Sequence, residues 1–286
     1  MSDGDQTFPE QEQDYPGTTE AMKPRPADEM GGYVGRGLLE GRRALVTGAD
    51  SGIGRATAVA FAKEGADVAI AYLCEDDDAS HTAKLVQQQG RRSFVIPGDL
   101  SVEQHCAEAV ERTVAELGGL DLLVNNIAYQ NPAQSLADIS TEQWDRTFRT
   151  NIYSYFWVTK AALEHMPDGG AIINSGSING LRGNKGLIDY SATKGAILAF
   201  TYSLAQSLVD RRIRVNCVAP GPVWTPLIPA TMGGENAAKF GQQTPMHEAA
   251  QPDEIAPSYV FFAADQLSSY YSGEVLAPIG GETLPG

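Results

Sequence analysis

The segment Ala44-Leu-Val-Thr-Gly48-Ala-Asp-Ser-Gly52-Ile-Gly54-Arg-Ala56 decides how the chain is read. Ala44 to Thr47 is a short run without polar alternation, as in a strand covered on both faces. Gly48 allows a tight turn. From Gly52 the pattern becomes helical, with Ile53, Ala56, Val59, Ala60 and Ala62 on one side and Gly65 as the stop. Gly52 and Gly54 remove Cβ atoms where a diphosphate and the sheet must approach the helix. The free N–H groups and positive dipole end of that helix suit such a group. A glycine cluster alone is a weak signal. A strand before it, a helix after it and first place in a series of βα units make it strong.

Downstream the same unit repeats. Strands are expected at Asp67–Tyr72, Ser93–Ile96, Leu122–Asn125, Ala171–Ser175 and Arg214–Ala219, with a weaker one at Glu274–Ala277. Helices are expected at Asp76–Gln89, Val102–Leu117, Ser140 to about Met166, Tyr190 to about Asp210, and Pro252–Ala264. Apolar strands alternating with amphipathic helices predict an α/β fold, a doubly wound parallel sheet of seven strands flanked by helices. The segment from Pro226 to Gln251, rich in Gly, Pro and Ala, reads as a mobile lid over a substrate.

The 286 residues divide into an extension, 1–40, and one catalytic domain, 41–286. The extension holds nine acids against three bases, and Pro9, Pro16, Pro24 and Pro26 forbid a long helix. It reads either as a disordered tail or as an arm laid on the body or on a neighbouring subunit. Phe8, Tyr15, Met22, Met30, Tyr33 and Val34 are the apolar anchors an arm would use. The formal charge of −15 disfavours nucleic acid and anionic lipid as partners. No apolar run reaches the ~20 residues of a membrane helix, and the first residues lack the pattern of a secretion signal. Cys74, Cys106 and Cys217 lack paired spacing, so a reducing, cytoplasmic location is expected. His81, His105, His165 and His247 show no metal-ligand spacing, and no metal is expected.

The spacing Thr47-Gly-x-x-x-Gly52-x-Gly54, with three later motifs, resembles the compact form of the short-chain dehydrogenase/reductase family over residues 41–286. Asp99 matches the family's adenine-side aspartate. Asn125-Asn-Ile-Ala128 matches its N-N-A-G motif except that Ala128 stands for the glycine. Pro220-Gly-Pro-Val-Trp-Thr225 matches its P-G-x-x-x-T segment. The arm motifs Met22-Lys-Pro-Arg-Pro26 and Tyr33-Val-Gly-Arg-Gly37 look like the subgroup labelled glucose/ribitol dehydrogenase homologues or general-stress oxidoreductases. The resemblance implies a Rossmann-type fold and an NAD(P)-dependent oxidoreductase acting on CH–OH groups. It places cofactor contacts at Gly48, Asp50, Ser51, Gly52, Ile53, Gly54, Tyr72, Asp99, Leu100, Asn125, Ala128, Tyr190, Lys194, Pro220, Gly221, Val223 and Thr225.

Tyr190-Ser-Ala-Thr-Lys194 puts a phenol and an ammonium on one helix face. A cation beside the phenol would lower its pKa from ~10. Ser177, past the end of the fifth strand, is placed to bond a substrate carbonyl oxygen, with Ser175 as the rival. By resemblance Asn151 is the fourth catalytic residue and supports a water leading to Lys194. In reduction, Ser177 and Tyr190 would stabilise charge growing on the substrate oxygen, and Tyr190 would deliver the proton.

The family position that selects NAD with an acid falls at Tyr72, followed by Leu73, and Ser51 and Arg55 are candidates to face a 2′-phosphate. The cofactor expected is NADP or NAD, with a slight lean to NADP. The expected substrate is a small carbonyl or alcohol: a sugar, polyol, aldehyde or ketone. The alternative is a non-catalytic NAD(P)-binding sensor or scaffold, against which the set Asn151, Ser177, Tyr190 and Lys194 argues. Two apolar stripes on the helices at 140–166 and 190–210 predict self-association, as a homotetramer.

Overall fold

The computed structural model describes residues 7–283; the first six residues of the expected arm and the last three of the chain lie outside them. The strands are β1 (Arg43–Thr47), β2 (Asp67–Tyr72), β3 (Ser93–Pro97), β4 (Leu122–Asn125), β5 (Ala171–Ser175), β6 (Arg214–Val218) and β7 (Val275–Leu276). They form one sheet in the order β3-β2-β1-β4-β5-β6-β7, parallel throughout. Successive strand residues point to opposite faces, and the core divides accordingly. Ala44, Val46, Val68 and Ile70 pack under α1 (Gly52–Lys63) and α10 (Pro252–Ala263). Leu45, Ala69, Leu123 and Ile172 pack under α3 (Glu103–Leu117) and α5 (Ser154–Leu163). The chain crosses from one wing to the other between β1 and β4, which opens a crevice at their carboxyl ends.

The helix expected from Ser140 to Met166 is not continuous. It is α4 (Thr141–Phe148), a π-helical turn at Arg149–Tyr153, and α5. Asn151 sits in the wide turn, where its side chain accepts from the Tyr129 N–H at 2.7 Å and donates to the Tyr129 carbonyl at 2.9 Å. This two-way bond draws the helix toward the loop after β4. The lid segment also carries structure that its composition hid: α8 (Leu227–Thr231) and α9 (Gly234–Ala238). A further short helix, α6 (Ile178–Arg182), is capped by the Ser177 hydroxyl, which accepts from the Asn179 N–H at 3.1 Å. It leads into α7 (Ile188–Ser207).

Residues 7–40 lie against the body of their own chain. Phe8 stacks on Trp224 with ring centroids 3.7 Å apart, and Trp224 Nε1 donates to the Pro24 carbonyl at 2.9 Å. Met22 and Met30 are buried, whereas Val34 is 82% exposed and anchors nothing. Lys63 Nζ donates to the carbonyls of Met30 and Tyr33, and Glu64 accepts from the N–H groups of Arg36 and Leu38. The deepest contact is Asp28, whose carboxylate accepts from the Gly52 N–H at 3.0 Å and faces the Arg55 guanidinium at 3.3 Å. Both side chains of that ion pair are all but fully buried. Removing one partner of a buried pair strands the other charge, so Asp28→Ala should cost about 3–5 kcal/mol. Thermal or urea unfolding of the two proteins checks this; a loss below about 1 kcal/mol would show that the arm is not tied to the glycine-rich turn.

Candidate active site

A cavity runs along the carboxyl ends of the strands. At one end it is walled by Tyr72, Leu73 and Glu75 after β2 and by Gly98, Asp99, Leu100 and Ser101 after β3. At the other end stand Ser175, Gly176, Tyr190 and Lys194 around β5 and α7, with Pro220, Thr225 and Pro226 after β6. The glycine-rich turn lies between, through Gly48, Asp50, Ser51, Gly52 and Ile53. Ser51, which precedes α1, makes no side-chain cap, so the first turn of that helix is left to other acceptors. Gly52 has φ +54°, and a Cβ there would meet Thr225 at 2.9 Å. A Cβ on Gly54 would fall 1.9 Å from the Gly48 carbonyl oxygen, so this glycine serves the packing of helix on turn. Asp28 takes the Gly52 N–H; the remaining N–H groups of the glycine turn and helix start suit a diphosphate, and the cavity's length suits a group extended across the sheet.

Tyr190 and Lys194 are both buried on α7. Lys194 Nζ donates to the Ser175 carbonyl at 2.7 Å and lies 5.5 Å from the centre of the Tyr190 ring. Burial pushes the Tyr190 phenol up to about 12, an effect partly offset by its hydrogen bond with Ser177. Burial pulls Lys194 down to about 8. The expected lowering of the phenol by Lys194 is therefore not what this geometry shows. The ammonium turns to a backbone carbonyl, and desolvation governs both groups. A phenol that keeps its proton at neutral pH is suited to donate it.

Ser177 adjoins Tyr190 but is not on the cavity wall, whereas its rival Ser175 is. Ser175 is a junction: its hydroxyl bonds Asn126 at 3.0 Å and Tyr259 at 2.7 Å. Asn151 bonds Tyr129 and, at 3.0 Å, Thr193, whose hydroxyl donates to the Tyr190 carbonyl. It ties the loop after β4 to the helix that carries the phenol, and no direct bond joins it to Lys194.

Of the expected cofactor contacts, Gly48, Asp50, Ser51, Gly52, Ile53, Tyr72, Asp99, Leu100, Ala128, Tyr190, Lys194, Pro220 and Thr225 line the cavity. Gly54, Asn125, Gly221 and Val223 do not. Asn125 turns inward and donates to Thr159 and Asn174 at 3.0 Å. Its neighbour Asn126 is the one on the wall, where it donates to the carbonyls of Thr47 and Gly48. Arg55 is withdrawn from the cavity: it is 1% exposed and spent on Asp28, Asp78, Thr82 and the Asp50 carbonyl. Of the two residues expected to face a 2′-phosphate, Ser51 alone is on the wall. The Asp50 carboxyl also lines it and is pushed up to about 6, mainly by burial. The expectation missed Tyr15, Pro16 and Arg146, which the structure adds to the wall. Among the described residues no group of His, Cys, Asp and Glu is placed to hold a metal, and no helix is long and apolar enough to cross a membrane.

The family model described as enoyl-(acyl carrier protein) reductase matches residues 48–283. General stress protein 39 of Bacillus subtilis (strain 168) is 54% identical over 266 residues, 93% of each chain. The glucose and ribitol dehydrogenase of Daucus carota is 45% identical over 292 residues, covering the whole of both chains. Among solved structures, a short-chain dehydrogenase from Burkholderia cenocepacia J2315 in complex with NADP superposes with a TM-score of 0.80 at 32% identity, over 85% of this chain and 98% of that one. A parallel sheet in this strand order, a glycine turn at its first crossover and a buried Tyr-x-x-x-Lys on α7, together with these matches, show that the chain belongs to the short-chain dehydrogenase/reductase family.

Proposed function

We propose that this NAD(P)-dependent oxidoreductase acts on a small sugar, polyol, aldehyde or ketone, with Tyr190 as proton donor. The observation that carries the reading is the buried phenol of Tyr190, with the Lys194 ammonium 5.5 Å from its ring centre, at the β5 end of a cleft that runs on past the glycine turn to β2 and β3. The carrot relative's name supports sugars and polyols as one substrate class. The complex of the Burkholderia neighbour with NADP supports the lean to that cofactor. Tyr72 brings no negative charge to the ribose end, its hydroxyl donating to Asp76 at 2.5 Å. Ser51, whose hydroxyl here donates to Asp50 at 2.8 Å, would be the residue to turn to a 2′-phosphate, since Arg55 is off the wall.

When bound, the reduced nicotinamide supplies the hydride. The chain's own residues do the rest. Ser51 and Ile53 at the start of α1 would hold the diphosphate through backbone N–H groups, the Gly52 N–H being taken by Asp28. Asp99 and Leu100 would border the adenine. Lys194 would hold ribose hydroxyls, backbone groups near Val223 would hold the carboxamide although its side chain is off the wall, and Thr225 would reach phosphate. Ser177 and the Tyr190 hydroxyl would donate to the substrate oxygen as charge grows on it, and Tyr190 would pass its proton there. Asn151 would hold a water on the path back through Lys194. Alcohol oxidation runs the same path in reverse.

The arrangement of 1–40 as an arm on a catalytic unit of 41–286 belongs to the same reading. So does a homotetramer. Tyr153 and Phe156 at α5, Tyr202 on α7, and Tyr270 and Tyr271 near the C-terminus are all more than 40% exposed. These faces would be covered by symmetry mates. The free state of Cys74, Cys106 and Cys217 supports the cytoplasm as location.

A panel of carbonyls and alcohols with both cofactors, followed at the reduced nicotinamide absorbance, tests the activity. Tyr190→Phe should lower kcat by about 10²–10⁴-fold while leaving cofactor affinity intact; a variant with most of the wild-type kcat would sink the assignment. The Lys194 ammonium is present below about 8 and lost above it. The kcat/KM for the reduced cofactor, which reports the cofactor-free enzyme, should therefore be flat at neutral pH and fall as pH rises through about 8. The Tyr190 proton, held to about 12, adds no break in between. Light scattering at micromolar concentration should give four times the chain mass, and a monomer's mass would exclude the tetramer.

A further inference from the structure

We propose that Tyr15 and Pro16 of the N-terminal arm form the outer wall of the adenosine half of the cofactor cleft, so that a bound dinucleotide leaves only when this strap moves. The inference rests on the reading of the cleft as a dinucleotide site. In that reading the reacting end lies at Tyr190, at the carboxyl end of β5. The other end of the ligand must then lie toward β2 and β3, three and four strands away in the sheet order. Tyr15 and Pro16 line the cavity together with Asp50, Tyr72 and Glu75 of that half. They also line a shallow depression on the outside, with Asp14, Gly17 and Glu75. A single layer of residues thus separates the cleft from solvent.

The strap is held firmly on both sides of this point and loosely at it. Before Tyr15, the Phe8 N–H donates to the Ala238 carbonyl and the Gln13 N–H to the Pro229 carbonyl, both at 3.1 Å, and Gln11 bridges to Gly234. These bonds bind the arm to α8 and α9. After it, Gly17 sits so close to the lid that a Cβ would fall 2.7 Å from the Pro226 carbonyl oxygen, and the Thr19 N–H donates to Asp78 at 2.9 Å. Further on, Asp28 holds Gly52. Between these anchors Tyr15 and Pro16 are only half-buried. Tyr15 meets the opposite bank through ring contacts: its ring lies edge-on to Tyr129 with centroids 5.2 Å apart, and the Arg146 guanidinium is 5.2 Å from its centre. Its hydroxyl reaches the Ala128 carbonyl at 3.4 Å, a long bond. Contacts of this kind close a gap without fixing it, so the tip can lift while its anchors stay in place.

Stopped-flow nicotinamide fluorescence on the full-length enzyme tests the strap by comparing release of NADPH and NADH from wild type, Tyr15→Ala and Tyr15→Phe. The alanine variant should release cofactor about tenfold faster. The phenylalanine variant, which keeps the ring and loses only the long hydroxyl contact, should stay within about twofold of wild type. Equal release from wild type and Tyr15→Ala overturns the proposal. Hydrogen exchange on the unaltered protein gives a readout free of any folding defect. Saturating NADPH should slow the amides around the tip, residues 14–18, as well as those of the glycine-rich turn; protection of the turn alone overturns the strap. A wild type that binds neither dinucleotide overturns the cofactor reading itself, and is told apart by the absence of any fluorescence change before release is measured.

Discussion

A carboxylate from outside the sheet, Asp28, governs the rest of the structure from the start of its first helix. It occupies the Gly52 N–H and neutralises Arg55, and Arg55 in turn reaches the Asp50 carbonyl and Asp78 at the head of α2 (Asp76–Gln88). One buried cluster thus joins the arm, the glycine-rich turn and two helices. A guanidinium buried this deeply is tolerable only with its donors satisfied. Arg55 meets that condition through five oxygen acceptors on four residues. The positive charge it carries is therefore structural, and the cavity's ribose end is left to neutral and acidic groups.

The reacting end of the cavity is built differently. There the framework is mostly amides and hydroxyls: Asn126, Asn151, Thr193 and Ser175 exchange hydrogen bonds that fix the loop after β4 against α7 and α10. The buried Asp189 carboxylate beside them is spent on the Tyr190 N–H, Thr147 and Gln143, so that desolvation governs both the phenol and the ammonium. Both groups then move toward their uncharged forms, Tyr190 upward and Lys194 downward.

Most of the sheet was legible because each strand is a run of apolar residues ended by a glycine, proline or polar residue, and because the helices between them have a clear period. The pair Tyr190 and Lys194 was legible because its spacing is local. What could not be read were choices made by contacts distant in sequence. Asn125 and Asn126 are identical side chains on successive residues, and the strand's alternation sends one inward to Thr159 and the other to the glycine turn. Composition offers no means of telling them apart. Arg55 looks available until Asp28, 27 residues earlier, is folded onto it. The helix at 140–166 has an unbroken helical pattern, and only the partner of Asn151 shows why it widens. Tyr15 stood out as an apolar anchor, but nothing in the sequence said that it would lie over a cleft.

The wide turn at Arg149–Tyr153 amounts to one residue more than a regular helix would need. Each residue turns an α-helix by about 100°. Dropping one residue from this turn would let α4 and α5 run on as a straight cylinder, with better backbone geometry than the native chain has. It would also rotate everything on one side of the join by more than a quarter of a revolution, and the amide of Asn151 would no longer meet Tyr129. The length of this helix is thus under a constraint that its own stability opposes. Lineages descended from this chain should tolerate substitutions along the helix far more readily than the loss of a single codon within it.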